Sequence, residues 1–414
     1  MPQKIKVASA QSRTLSTTAE TLRALEATTK QAAQQGIDLI LFPEAYLGGY
    51  PRTCAFGASV GARAPEGREQ FLAYYHDAVD LGDTPQGAGE DWVNRTLPLP
   101  REKKYRGDGT REELERIARE TGVFVVTGLV ERSGGTLYCG AVYVCPRYGI
   151  IGKRRKVMPT GSERLVWGQG SASTLRAVTA DIRGVRVTMA AAICWENYMP
   201  LLRQALYSQN VNLWLAPTAD ARDAWLSLMR TVGCEGRCFV ISANQCVKKK
   251  HLPDWITGET ATAETVQPAA TSTGQTSSIR TRRRSTIIPT EDKHEICLPI
   301  AEENSKQNVR IPNGDHSVID DGAQSPKSTS HALPKVSSAA GEEFVCRGGS
   351  SIISPLGDVL SGPLWEVDEG GLLVQEIDFE DCERGRLDMD VAGSYSRMDS
   401  FHLTVDGLDI SPPP

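Results

Sequence analysis

The sequence predicts an α/β protein. Short, continuously apolar runs rich in Val, Ile and Leu recur along the chain, and amphipathic stretches with helix start and stop signals fall between them. Runs without polar alternation mark strands covered on both faces, which is what helices packed on a sheet produce.

Taken in order, residues 4–8 read as a short strand. Thr17 and Glu20 have capping-box spacing, and the helix they open carries Leu22, Leu25 and Ala32 on one face. Gly36 suits the position just past its end, where a left-handed backbone is needed. Residues 37–42 form a nearly continuous apolar strand that ends at Pro43-Glu44. The unit then repeats: Thr110 and Glu113 are spaced to cap a helix bearing Leu114, Ile117 and Ala118, Gly122 stops it, and 123–127 is again a buried-type strand. Further strands are expected over 137–144 and 185–193. A helix follows over 200–207, then strands over 211–215, 239–243, 350–354 and 372–377. Residues 82–109, rich in Gly, Pro and charge, read as a surface loop.

One segment breaks this pattern. From 259 to 341 the composition turns to Ser, Thr, Pro, Gln and Asp, which cannot bury enough apolar surface to offset ordering entropy. It reads as a disordered low-complexity insertion carrying a basic cluster, Arg280-Thr281-Arg282-Arg283-Arg284, taken as a solvated charge run. Residues 1–258 and 342–403 then form one domain, with 404–414 as a C-terminal tail. Closing a long loop is tolerable, because its entropy grows only with the logarithm of length.

Composition sets the class. The 414 residues are 40% hydrophobic, enough for a sizeable core, and the formal net charge of −5 gives no electrostatic case for nucleic acid or an anionic membrane. No apolar run approaches the roughly 20 residues of a membrane span, and the first residues lack a signal-peptide apolar stretch. Ten cysteines without CxxC pairs exclude zinc-ribbon spacing and fit free thiols in a reducing cytoplasm.

The chemistry starts at Cys194, which ends the apolar run 185–193 before the helix over 200–207. A thiol at a strand-to-helix junction lies near helix N–H dipoles, which favour thiolate and so a nucleophile; taken alone, a buried structural cysteine is the commoner reading. Glu44 stands at a comparable junction, where burial raises a carboxylate's pKa and suits it as a general base. Lys156, in the basic run Lys153-Arg154-Arg155-Lys156, is a candidate cationic stabiliser, and Glu163 follows it; their plain readings are a surface charge and a solvated partner of Arg164. Of six histidines, four lie in or beside the insertion, leaving His76 and His402, so a Cys–His dyad is poorly supported and a carboxylate is the better base for Cys194.

Three ordered segments, Phe42-Pro43-Glu44, Arg155-Lys156-Val157-Met158-Pro159-Thr160 with Glu163-Arg164, and Cys194-Trp195-Glu196-Asn197, resemble the catalytic motifs of the nitrilase superfamily. The stretches CWENYMPLLR, EGRCFVISANQ and RGGSSIISPLGDVLSGP, with Gly48-Gly49-Tyr50-Pro51-Arg52 and Trp167-Gly168-Gln169-Gly170, are similar to the true nitrilase branch. Arg154 departs from that branch's usual His, Ser171-Ala172-Ser173 from Asp-Gly-Ser, and Ser394 from His; these touch substrate preference and subunit contacts, not the trio. The resemblance implies a four-layer αββα sandwich without metal or organic cofactor. It further implies a Glu44–Lys156–Cys194 triad supported by Glu163, a pocket lined by Trp195 and Tyr50, and hydrolysis of a small organic nitrile to acid and ammonia. Homo-oligomers, dimers or larger stacks, are also implied. An amidase of the same superfamily, a cyanide hydratase and a non-catalytic scaffold are the competing readings.

Overall fold

The computed structural model describes residues 3–82, 99–257 and 341–412, together with the backbone of 285–289 and 295–299. Contacts divide the chain into two units, 1–261 with 337–414, and 262–336.

The first unit begins with β1 (Lys4–Gln11), helix α1 (Thr18–Gln34) and β2 (Leu39–Leu41). Thr17 accepts a hydrogen bond from the Glu20 amide, and Gly36 adopts φ 69°, as the start and stop signals imply. A small hairpin, β3 (Ala58–Ser59) and β4 (Ala62–Arg63), leads to helix α2 (Pro65–Asp77). Helix α3 (Thr110–Thr121) then precedes β5 (Phe124–Ser133), β6 (Thr136–Cys145) and β7 (Gly149–Arg155). Next come β8 (Val178–Ile182), β9 (Val185–Ala191), α4 (Pro200–Tyr207), β10 (Leu213–Thr218), α5 (Asp223–Gly236), β11 (Phe239–Asn244), β12 (Cys246–Lys248) and the short helix α6 (Asp254–Thr257).

The second unit contributes β13 (Ser285–Pro289) and β14 (Glu295–Pro299), an antiparallel hairpin. The segment expected to lack regular structure therefore carries two short strands, each rich in the β-branched and apolar residues that favour extended backbone. The rest of that insertion up to residue 340, with its basic cluster, lies outside the described residues, as does 83–98 of the expected surface loop. The first unit closes with β15 (Phe344–Ile353), β16 (Val359–Trp365), β17 (Gly371–Asp378) and α7 (Glu380–Gly385). Residues 404–412 follow, where Leu408 packs beside the α4–α5 core and the Asp409 carbonyl accepts from Arg176.

Two sheets form, ordered β17-β1-β2-β5-β6-β7 and β12-β15-β11-β10-β9-β8, with β16 beside β15. β1, β2 and β5 run parallel, as do β9, β10 and β11, each set joined by crossover helices. Side chains alternate between layers with period two. Ile5, Val7, Leu39, Leu41, Phe124 and Val126 meet Leu213, Leu215, Phe239 and Ile241 in the core between the sheets. Ala8, Ile40 and Val125 face the other way, onto Leu25 of α1 and Leu114 and Ile117 of α3. Trp214 and Val240 pack on Leu206 of α4 and Met229 of α5. The layers are helix, sheet, sheet, helix, as expected.

Several boundaries differ from expectation for physical reasons. Thr110 is not the cap of α3: it sits inside the first turn, and its amide donates to Asp108 Oδ1 at 2.9 Å after Gly109 at φ 97°. The strand expected over 37–42 narrows to three paired residues, although all six are buried. β7 was hidden in the basic run, and β15 starts six residues before its apolar core because Arg347-Gly348-Gly349 obscures it.

Candidate active site

Glu44 follows β2, Cys194 follows β9, and Thr218 ends β10, so all three lie at carboxyl ends of parallel strands, where open α/β sheets place their sites. Backbone crowding fixes the first. A Cβ on Gly128 of β5 would come within 2.2 Å of the Pro43 carbonyl oxygen, so only glycine lets the Pro43–Glu44 turn lie this close. Gln245 donates to the Glu44 carbonyl at 3.1 Å and accepts from the Thr14 amide at 3.0 Å, tying the turn to the second sheet.

The period of β7 sorts the basic run into two faces. Lys153 and Arg155 turn to Glu131, at 2.5 and 2.7 Å. Arg154 and Lys156 point into the space between the sheets. Arg154 donates to Glu196 Oε1 at 2.6 Å and to the Ala191 carbonyl. The same Glu196 accepts from the amides of Val157 (2.6 Å) and Ile193 (2.8 Å), so it joins the lysine strand to the cysteine turn. All four basic side chains are buried; the surface reading of this run is wrong, because the charges are compensated inside the protein.

Lys156 Nζ donates to Glu44 Oε1 and to Glu163 Oε2, both at 2.7 Å. Glu163 sits in a one-turn 3-10 helix, where its Oε2 also accepts from the Thr160 amide (2.6 Å) and its Oε1 from the Tyr50 hydroxyl (2.7 Å). Its plain reading as a solvated partner of Arg164 therefore does not hold. Burial works against the Lys156 charge, but the Glu44 carboxylate foremost, with Glu163 adding to it, holds its pKa well above the usual lysine value. Burial raises the Glu44 pKa above the ordinary carboxylate value despite Lys156, with the Glu163 charge adding to the rise.

Cys194 occupies a left-handed backbone conformation, φ 53°, at the start of the 3-10 turn Cys194–Tyr198. Such a conformation for a non-glycine residue is uncommon and is stored at functional sites. Asn197 secures the turn by donating to the carbonyls of Ala192 and Cys194, while Trp214 donates to Asn197 Oδ1. Thr218 Oγ1 donates to Cys194 Sγ at 3.3 Å. The expected dipole-lowered thiol is corrected: burial, then the Glu44 charge, push the Cys194 pKa up, opposed by Lys156 and Thr218. The 3-10 turn separates Cys194 from the first turn of α4, and helix-end effects fade within one turn. The shift favours the thiol over the thiolate, and a hydrogen bond between Cys194 and Glu44 works to lower the carboxylate's pKa.

A cavity of about 420 Å³ opens over Cys194, lined by Tyr50, Glu163, Trp195, Arg52 and Arg222 among others. Trp195 Nε1 donates to Asp220 Oδ2 (2.9 Å), and the Arg222 guanidinium lies 4.3 Å from the Trp195 ring centroid. Tyr50 and Trp195 are thus both on the wall of this cavity. Among the described residues no histidine lines this cavity, and no cluster of three or more His, Cys, Asp or Glu is placed to hold a metal. Sequence reasoning missed Thr218, Asp220, Glu196 and Cys139, whose thiol lies 3.6 Å from Glu44 Oε1. Thr218 and Asp220 had a findable signal: polar groups at the end of an apolar run, the same signature as Glu44.

The chain matches the carbon–nitrogen hydrolase family over residues 6–279. It is 35% identical to an arylacetonitrilase of Trametes versicolor, over 93% of this chain and 91% of that protein. It is 33% identical to an aliphatic nitrilase of Sinorhizobium fredii, over 91% of this chain and 87% of that one. The solved structure of a mutant of the Nesterenkonia AN1 amidase, from the nitrilase superfamily, shares the fold with a TM-score of 0.50 at 15% identity, covering 93% of this chain and 95% of that one. The chain belongs to the carbon–nitrogen hydrolase family, among its nitrilases.

Proposed function

We propose that the protein hydrolyses a small organic nitrile to a carboxylic acid and ammonia, with Cys194 as nucleophile, Glu44 as general base, Lys156 as cationic stabiliser and Glu163 in support. The observation that carries this reading is the convergence of two carboxylates on one buried ammonium, beside a strained, buried cysteine under a small cavity. Glu44 takes the Cys194 proton as Sγ bonds to the nitrile carbon, and the nitrogen gains a proton to give a thioimidate. Water activated by Glu44 adds to that carbon. Ammonia leaves to give a thioester, and a second water releases the acid and restores the thiol. Lys156 faces the charge that develops on nitrogen and then on oxygen. Glu163 holds Lys156 and Tyr50 in place.

An amidase would share the same cluster. The activities of the two relatives, an arylacetonitrilase and an aliphatic nitrilase, favour the nitrile. We place the enzyme in the cytoplasm as a homo-oligomer, a dimer or larger stack, on its free thiols and its family; among the described residues no helix is long and apolar enough to cross a membrane.

A panel of aliphatic, aromatic and arylaceto-nitriles, with cyanide and the matching amides, assayed for ammonia, acid and amide tests this reading. The parent protein is expected to release acid and ammonia from at least one organic nitrile, and Cys194→Ala to lose about four or more orders of magnitude in rate while keeping the parent's circular dichroism. Turnover of amides alone, formamide from cyanide alone, or parent-level ammonia release by Cys194→Ala contradicts it.

A further inference from the structure

Four cations stand in or beside the catalytic cavity, and three have carboxylate partners. Lys156 has Glu44 and Glu163; Arg222 holds Asp220 at 2.7 Å; Arg347 holds Glu366 at 2.7 Å. The fourth, Arg52, lines the same cavity as Cys194. Its Nη2 donates to the Ala219 carbonyl at 2.6 Å, and the guanidinium lies 5.1 Å from the Tyr50 ring centroid. Among the described residues no carboxylate pairs with it. A guanidinium carries five N–H donors in a planar fork suited to binding a carboxylate through two of them. Ala219 takes one, and the Tyr50 ring fixes the plane of the fork without neutralising it.

The two acids on the wall do not serve Arg52. Asp220 is committed to Trp195 Nε1 and to Nε and Nη2 of Arg222, and Glu163 to Lys156, Tyr50 and the Thr160 amide. Around the cavity the four cations face four carboxylates, Glu44, Glu163, Asp220 and Glu366, but each of these carboxylates is bonded to another cation, and Arg52 alone of the four cations has none within ion-pair distance among the described residues. A half-buried charge without a partner is costly unless a ligand supplies the opposite charge. The wall around a cavity of about 420 Å³ therefore has a built place for one anionic group, in the same chamber as the nucleophile.

We infer that Arg52 binds a carboxylate on the substrate, so that the preferred nitrile is a cyano-carboxylic acid with its cyano carbon at Cys194 and its carboxylate on the Arg52 fork. This inference rests on the nitrile-hydrolase reading and narrows it to an acidic substrate class. Arg52 takes no part in the bond-making steps. Its role is specificity, and it acts mainly on kcat/KM.

The test compares 4-cyanobutanoate with its neutral methyl ester, following the acid formed at the nitrile end by chromatography, for the parent, Arg52→Gln and Arg52→Lys. The parent is expected to favour the carboxylate by about tenfold or more in kcat/KM, a preference that shrinks as salt rises. Arg52→Gln is expected to lose about tenfold or more on the carboxylate and much less on the ester. Arg52→Lys should recover part of the loss, since it keeps the charge but not the fork. Ester turnover doubles as the folding control. Equal losses on both substrates, or a parent that turns over the ester and ignores the carboxylate, overturn the inference and leave nitrile hydrolysis standing. A parent that hydrolyses neither compound nor any other nitrile overturns both.

Discussion

Lys156→Ala is expected to cut nitrile turnover by about a thousandfold or more and to move the acid limb of the remaining activity to higher pH. In the proposed mechanism the variant removes the cation opposite the charge that forms on the substrate. It also removes two of the influences that lower the Glu44 pKa, the Lys156 charge and its hydrogen bond, while burial and the Glu163 charge that raise it remain. A general base works only when deprotonated. A further rise in the Glu44 pKa therefore leaves less active base at a given pH, and activity recovers as pH increases. Glu44→Gln should lose activity on the same scale and show no limb from that group. Because the residues act as a unit, the double variant should be little worse than either single one. The pH profile of kcat/KM for the parent and the three variants checks this; an unshifted limb in Lys156→Ala contradicts the coupling.

Glu131→Gln is expected to lower stability by about 3–5 kcal/mol, the usual cost of breaking a buried ion pair from one side. Glu131 is buried between Lys153 and Arg155, and the side chains of all three are at most 4% exposed. Burial alone would raise its pKa, but the charges and hydrogen bonds of Lys153 and Arg155 override this and set it below the ordinary carboxylate value. A depressed folded pKa gives stability that is fully present above the unfolded carboxylate value and lost as pH falls through the folded one. The gap between parent and Glu131→Gln in urea unfolding should be full near neutral pH and narrow in acid. A variant within about 0.5 kcal/mol of the parent at pH 7 contradicts this account of the triad.

The two predictions draw on opposite sides of the basic run 153–156, which ends β7 and continues one residue past it, and that run marks the limit of what the chain discloses on its own. The parallel strands were legible because they are covered on both faces: 37–42, 123–127 and 211–215 are apolar runs in which successive residues enter different cores. β7 was not, since four consecutive cations look like solvated surface unless the partners Glu131, Glu196, Glu44 and Glu163, brought from remote parts of the chain, are known. Helix α2 was missed for a related reason: only Gly67 and Tyr74 are fully buried along it, so it shows no clear apolar stripe. The trio Glu44, Lys156 and Cys194 was legible as motifs in order. The upward shift of the thiol's pKa was not, because it comes from burial and from a carboxylate 150 residues away in the chain, against the helix-end rule that applies to exposed cysteines. Tyr50 and Glu163 were legible as neighbours of motifs, but their mutual hydrogen bond exists only once the first sheet has formed.

The claim at the centre of this account is that Cys194 carries the acyl group. Protein quenched in acid during turnover of an active nitrile, then digested and analysed by mass spectrometry, tests it directly. The account predicts an adduct of thioester or thioimidate mass on the peptide containing Cys194, absent from Cys194→Ala. An adduct on Cys139 or Cys346 instead, the other thiols at the Glu44 carboxylate and on the cavity wall, would contradict it.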